Sequence, residues 1–444
     1  MHSVGRCFEQ GRDMNCLIWR AYRDYGLRDC TFCGGELQVV TDNKKRDPLQ
    51  AMHQQAFLEL PAQVAEAPGR VEFLGGSTAQ EEGLVLAVAI DRKARAGVSP
   101  RRDGRVDFVW DAGAGRASFW LHELGADPGD APQVRWIKSV LRELRRRKVH
   151  FSGFNLSVHS SIPQGLGLGE GAAYTVAVMA ALRRQYPYSL TLLGAGEPPR
   201  RDPRGRVPGW SADEKRILVE WCKSIWDNSP EWAGEAFDPW PSLFAKEWHV
   251  LATDCRFQRF DQYRLVGEAL VVVELGVGAT AEQAEWRGSW LRLCRETARL
   301  LLAKALRSVD PAYLKVNGER LNATQAACAR HVAGELQRVV YAERALRDED
   351  IVQFGHYLTL SQESFAANSG ASSLIADSII EIARSLPGCH GGRLLGPGHG
   401  SSVLFLVAYH EVVTFVEQLA ERCAAEVGSR PKVSVLPMAD GAEG

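Results

Sequence analysis

The segment Ser161–Ala173, SIPQGLGLGEGAA, constrains the fold more than any other part of this chain. It joins an apolar-alternating run that starts at Phe151, predicted to be a strand, to AAYTVAVMAALRRQY, whose length and composition predict a buried helix. Glycines at 165, 167, 169 and 171 let backbone N–H groups converge on an anion, and the helix N-terminus adds its positive end. The loop therefore reads as a phosphate cradle, with Pro163, Gly165, Leu166, Gly167, Gly169, Gly171 and Ala172 as contacts. No Gly-Lys-Ser/Thr follows, so it is not a Walker A loop and backbone amides must make the contacts. Two facts weigh against this reading. A lone glycine-rich loop is also what a tight turn looks like, and the carboxylate of Glu170 repels a phosphate unless a metal or a base intervenes.

Around this loop the chain divides into two mixed halves. VAEAPGRVEFLGG and GLVLAVAIDRKARAGVSP read as strands, and the Pro/Gly/Arg-rich stretch 194–210 reads as a surface loop. The second half opens with HVLATDCRF and ALVVVELGV as strands, followed by helical patterns over 285–307 and 322–347. It closes with a hairpin-like GGRLLGPGHGSSVLFLVAYH, a helix and the strand KVSVLPM. Segregated strands and helices predict an α+β protein of two lobes, 51–245 and 246–444, within the 444 residues. Residues 1–50 read as an N-terminal extension of uncertain status, with Met52 as a candidate start. Cys30 and Cys33 form a C-x-x-C there, but Cys7 and Cys16 do not complete a zinc-ribbon spacing.

A formal net charge of −1 gives no field for general nucleic-acid binding, and RELRRRK at 142–148 follows a helical pattern that reads as a solvated face. No apolar run reaches the roughly 18 residues of a membrane span, and Met1 leads into a segment without an apolar signal region. The expectation is a cytoplasmic protein with neither nucleic-acid nor membrane partners.

Three glycine-centred segments occur in order: APGRVEFLGG (67–76), PQGLGLGEGAA (163–173) and GGRLLGPGHGSSV (391–403). In this order and spacing they resemble the three motifs of the GHMP kinases, and the galactokinase branch fits best, over roughly residues 55–444. DPWPSLFAKEWHVLATDCR (238–256) resembles the segment that begins with the galactokinase catalytic aspartate, CARHVAGELQRV (328–339) resembles the helix with the Arg-His-Val signature, and MADGAEG resembles the family's C-terminus. The resemblance implies a two-lobed GHMP-kinase-like fold with the nucleotide cleft between the lobes. It also implies ATP and Mg²⁺ as cofactors, and phosphoryl transfer to the anomeric hydroxyl of a monosaccharide. Asp238 would take the proton and Arg70 would support it, while Asp227 in IWDNS is the alternative base. Asp238 before Pro239 also has the look of a plain helix N-cap, and Arg70 that of a structural ion-pair partner.

The departures from the family pattern matter as much. Where galactokinases read Gly-Glu-His-Thr-Asp-Tyr, this chain has Gly75, Gly76, Ser77, Thr78, Ala79 and Gln80, so the substrate positions Gly76, Ser77, Ala79 and Gln80 lack the family's sugar contacts. Galactose is therefore expected to be a poor substrate, and grafting the four family residues together is expected to restore it. Gly396 and Gly398 of the third segment are the remaining substrate positions, and His399, Ser401 and Ser402 replace the family's Phe, Gly and Cys. Glu170 stands where the family has a serine run that helps to hold Mg²⁺, and the family's second metal ligand falls near Ser229. Glu170 is the candidate metal ligand. Two functions stay open: a divergent sugar kinase with an altered pocket, and a non-catalytic relative that keeps the fold for binding or regulation.

Overall fold

The structure is a computed structural model that describes residues 30–33, 36–39, 47–110, 114–125, 127–227, 237–276, 281–396 and 401–444. A hairpin of β1 (Cys30–Cys33) and β2 (Glu36–Val39) precedes helix α1 (Pro48–Phe57). Asp47 caps α1 by accepting from the Leu49 N–H at 3.1 Å and holds Arg95 at 2.8 Å. Two long antiparallel strands follow, β3 (Gln63–Leu74) and β4 (Leu84–Pro100), joined by a 3₁₀ turn over Gly76–Glu81. Next come β5 (Arg105–Trp110), β6 (Gly115–Trp120), α2 (Pro132–Arg146) and β7 (Phe154–Ser160). The glycine loop then leads into α3 (Glu170–Gln185). Along α3 small side chains such as Ala172, Ala173, Ala177 and Ala181 are fully buried, which lets the helix axis lie close to β3 and β4.

A small hairpin, β8 (Ser189–Thr191) and β9 (Gly194–Gly196), precedes α4 (Ala212–Asp227), α5 (Pro239–Phe244), β10 (His249–Asp254) and β11 (Arg259–Arg264). The order β11-β10-β4-β7-β5-β6, with β3 also paired to β4, makes a seven-stranded sheet. This sheet runs past the lobe division expected at 245/246, because the pairing of Asp254 with Leu84 and Leu251 with Ala87 places β10 in the first sheet.

The second half begins with β12 (Glu268–Glu274) and continues through α6 (Ala281–Leu300), α7 (Pro311–Asn317), α8 (Ala323–Arg347), α9 (Ile351–Ser369) and α10 (Leu374–Arg384). It ends with β13 (Cys389–Leu395), β14 (Ser402–Ala408), α11 (Val412–Glu426) and β15 (Lys432–Leu436). Its six-stranded sheet has the order β13-β14-β12-β15-β1-β2, so the described part of the N-terminal extension adds a hairpin to the edge of the second sheet. A capping box of Asn322 and Gln325 starts α8 where the sequence pattern starts it. The helix expected over 285–307 stops at Leu300, and 306–308 forms a separate 3₁₀ turn. Residues 437–444 return to the first lobe: the Asp91 N–H donates to the Pro437 carbonyl at 2.8 Å and the Ala442 N–H to the Ser242 carbonyl at 2.7 Å. One core joins the two sheets, taking in Val88 and Leu156 from the first and Leu270 and Leu404 from the second. Among the described residues no helix is long and apolar enough to cross a membrane.

Candidate functional site

The site grows from an irregularity in β3. The register against β4 shifts between Pro68 and Gly69, and the Arg70 N–H donates to the Leu168 carbonyl in the glycine loop at 2.8 Å. Gly69 permits this approach, since a Cβ there would lie 2.8 Å from the Leu168 oxygen. Arg70 is buried and turns its guanidinium to Asp238, with Nε at 2.8 Å and Nη2 at 2.6 Å from the same carboxylate oxygen. The guanidinium also donates to the Gly167 carbonyl and lies 4.9 Å from the centre of the Phe237 ring. Asp238 occupies the N-cap position of α5, yet its side chain makes no capping hydrogen bond and is turned to Arg70 instead. Asp227 is exposed at the end of α4, so the buried carboxylate beside Arg70 is Asp238. Ser242 one turn on donates to the Pro68 carbonyl at 2.8 Å and ties α5 to the first glycine segment.

The glycine loop has the shape of a cradle. Gly165, Gly167 and Gly169 have φ near +72 to +73° while Leu166 and Leu168 between them do not take positive φ, an alternation that turns successive N–H groups towards one side. Gly171 and Ala172 lie in the first turn of α3, where the Thr175 hydroxyl donates to the Gly171 carbonyl at 2.8 Å. The third glycine segment clamps the loop from the other lobe. Ser402 Oγ donates to the Leu166 carbonyl at 2.8 Å, Ser401 Oγ donates to the Gly165 carbonyl, and a Cβ at Gly167 would meet the Gly396 backbone at 2.8 Å. The two serines that depart from the family pattern therefore hold the loop in place. Glu170 sits in the first turn of α3, where a carboxylate complements the helix dipole. Among the described residues no group of three or more His, Cys, Asp or Glu could hold a metal by itself. Gly398, His399 and Ser229 lie outside the described residues.

Next to this cradle a pocket is lined by Arg70, Gly396, Gly76, Ser77 and Gln80 on one side and by residues of α6 and α9 on the other. Ala79, expected at the substrate, is packed in the hydrophobic core instead, because the three-residue period of the 3₁₀ turn leaves Ser77 and Gln80 on its outer side and turns Thr78, Ala79 and Glu81 inward. A network absent from the sequence-based expectations underlies the turn. Glu72 accepts from the Gly76 N–H at 2.8 Å and from Arg393 at 3.1 Å, and Glu335 accepts from the Gly75 N–H at 3.0 Å, Ser361 at 2.8 Å and Arg338 at 2.8 Å. Burial opposes charge on Glu335, but Arg393, Arg338 and His331 outweigh it and hold the carboxyl down at about 2. His331, the histidine of the Arg-His-Val signature, bonds Ser77 Oγ at 3.0 Å and Ser364 Oγ at 3.1 Å, and burial lowers its pKa to about 4. Arg393 and Glu335 each lie inside a quoted motif, so their presence was visible although their partners were not.

A wider cleft is lined by Lys93, Arg184 and Asp440, with Arg184 in the last turn of the 16-residue helix α3.

Comparisons with known proteins agree with this architecture. Residues 135–194 match the model of the GHMP kinase N-terminal domain, and residues 51–100 match the galactokinase galactose-binding signature. The chain is 30% identical over 388 residues to a galactokinase of Chloroflexus aurantiacus, an alignment that spans 86% of this chain and 93% of that protein. Among solved structures, galactokinase of Lactococcus lactis complexed with galactose superposes with a TM-score of 0.78 at 18% identity, over 89% of this chain and 98% of that one. Mevalonate kinase of Methanococcus jannaschii superposes at 0.53 with 14% identity, over 85% and 98%.

Proposed function

The chain belongs to the galactokinase family of GHMP kinases, and from that membership we propose that it transfers the γ-phosphoryl group of ATP to the anomeric hydroxyl of a monosaccharide. The observation that carries this reading is the buried Arg70–Asp238 pair set against the glycine loop. Two charges buried together are costly unless something uses them, and here both lie beside a backbone cradle shaped for an anion.

In this reading the loop amides of 165–171 and the N-terminus of α3 hold the phosphates. The anomeric oxygen bonds to the γ-phosphorus as the bond to the bridging oxygen breaks, ADP leaves, and the hydroxyl proton passes to the Asp238 carboxylate. Arg70 fixes that carboxylate and offsets negative charge near the reacting oxygens. Mg²⁺ takes one or two carboxylates together with phosphate oxygens and water, a donor set that Glu170 fits without an all-protein cage. When bound it screens phosphate charge.

A non-catalytic relative is the competing reading, favoured by Gly76, Ser77 and Gln80 where galactokinases place sugar contacts. An ADP-release screen over a panel of monosaccharides, with Mg²⁺ and with Mn²⁺, separates the two. Sugar-dependent ADP release that is lost in Asp238→Asn supports the kinase. ATP-induced thermal stabilisation with no ADP release from any sugar supports the binding protein.

A further inference from the structure

Arg70 and Glu72 share one face of β3. The pairing with β4 is regular across them, with Arg70 opposite Ala89, Val71 opposite Val88 and Glu72 opposite Ala87, so Val71 points into the core and its two neighbours point the other way. Two residues of strand set them about 7 Å apart, a spacing that one monosaccharide bridges. Both line the same pocket, as does Arg393.

Glu72 is 8% exposed and uses one carboxylate oxygen within the protein. Its Oε1 accepts from the Gly76 N–H at 2.8 Å and from Arg393 Nη1 at 3.1 Å, while Oε2 has no hydrogen-bond partner among the described residues. Arg393, 5% exposed, is half committed in the same way. Its bonds among the described residues go through Nη1, to Glu72 and to the Phe73 carbonyl at 3.1 Å, which leaves Nε and Nη2 without a partner there. Trp286 and Trp290 on the facing helix α6 cannot supply the missing contacts, because their indole N–H groups donate to the Ser369 carbonyl at 3.4 Å and the Ser77 carbonyl at 3.3 Å.

An acceptor and a donor left open side by side in a buried place are costly unless a ligand or water answers both. A hydroxyl does so, since its oxygen accepts while its hydrogen is donated. An anion would suit Arg393 but meet the Glu72 carboxylate, and an ammonium group would suit Glu72 but meet Arg393.

We infer that Glu72 and Arg393 form the specificity site for a second, non-anomeric hydroxyl of the sugar, which donates to Glu72 Oε2 and accepts from Arg393 while the anomeric hydroxyl lies at Arg70 and Asp238. The contact that a glycine at 76 cannot make is thereby supplied from position 72, whose carboxylate occupies the space of the missing side chain. The inference rests on the kinase reading for the presence of a sugar in this pocket.

The test uses the full chain with galactose, glucose and mannose, each against its 2-, 3-, 4- and 6-deoxy forms. Binding is followed by tryptophan fluorescence without nucleotide, and turnover by ADP release with ATP and Mg²⁺. For at least one hexose, removal of one particular hydroxyl is expected to weaken binding roughly tenfold or more, the scale of a hydrogen bond to a charged group. Glu72→Gln should weaken binding of that hexose and leave its deoxy form nearly unaffected, so that the preference between the two collapses; a merely structural role would weaken both alike. Arg393→Lys should narrow the same ratio, and serves where Glu72→Gln fails to fold. Deoxy forms that all bind as well as their parents, a preference that survives both substitutions, or no binding by any sugar overturns the inference. ADP release together with an unchanged preference overturns it and leaves the kinase reading standing. Collapse of the preference without ADP release from any sugar overturns the kinase reading and leaves the assignment of Glu72 and Arg393 standing.

Discussion

Glu72 accepts a 2.8 Å hydrogen bond from the Gly76 N–H, and its carboxylate fills the space that a side chain at 76 would need: a Cβ built there would lie 2.0 Å from Glu72 Oε2. The loss of a side chain at 76 and the presence of glutamate at 72 are thus one structural feature. Grafting the four family residues onto 76–80 alone, Gly76→Glu among them, would drive a second carboxylate against the one that Arg393 already holds.

This coupling is measurable. Gly76→Ala should destabilise the protein by about 1–3 kcal/mol through overpacking. Combining it with Glu72→Asp, which draws the carboxylate back, should cost less than the sum of the two single changes, with a coupling of roughly 0.5–3 kcal/mol in urea denaturation. Strict additivity would mean that Glu72 does not occupy that space.

Arg70 and Asp238 should behave as a unit. Arg70→Ala leaves a buried carboxylate unpaired and is expected to lower stability by roughly 3–5 kcal/mol. With a sugar that supports ADP release, Asp238→Asn should reduce kcat by roughly 10² or more, while Asp227→Asn, at an exposed helix end, leaves it nearly unchanged. The reverse ranking would assign the proton to Asp227.

For the glycine loop the readout is thermal stabilisation by ATP. Gly167→Val forces a branched side chain into φ +72° and against Gly396, and should abolish the ATP-induced shift. Ser402→Ala removes one bond to the Leu166 carbonyl, so it should cost about 1 kcal/mol of stability and weaken the shift without abolishing it. Wild-type protein that shows no shift with either Mg²⁺ or Mn²⁺ would remove the nucleotide from this site.

Stability should also depend on pH through His331. Burial lowers its folded pKa to about 4 from 6.5, so between those values the unfolded chain binds a proton that the folded one does not. The contribution is present above pH 6.5 and is lost as pH falls towards 4, by about 3 kcal/mol in all. His53, lowered by burial to about 4 as well, adds a term of the same sign. Urea midpoints at pH 7.5, 6 and 5 should fall steadily, and His331→Gln should flatten the slope. A wild-type slope unchanged by that substitution would place His331 outside the effect.

The local chemistry of the chain determined the glycine loop, the strand before it and the buried helix after it, which follow from glycine's access to positive φ and from hydrophobic period, both of which act within a few residues. The candidate pair Arg70 and Asp238 came from the resemblance of their segments to the galactokinase motifs. The helices α9 and α10 and the joining of β10 to the first sheet were not legible, because an apolar run carries no record of which strand or helix it will meet. Ala79 looked like a pocket residue by position and became core because the 3₁₀ turn rotates it inward. Trp286 and Trp290 fall within the helical pattern expected over 285–307, and only the packing of α6 against Ser77 and Phe365 makes them a pocket wall. The bonds that shape the site join residues far apart in the chain, Ser402 to Leu166 across 236 positions and Arg393 to Glu72 across 321. Sequence supplied both ends of each; which ends meet is decided by the burial of the two sheets and α3 around one core, a many-body packing outcome that no local pattern encodes.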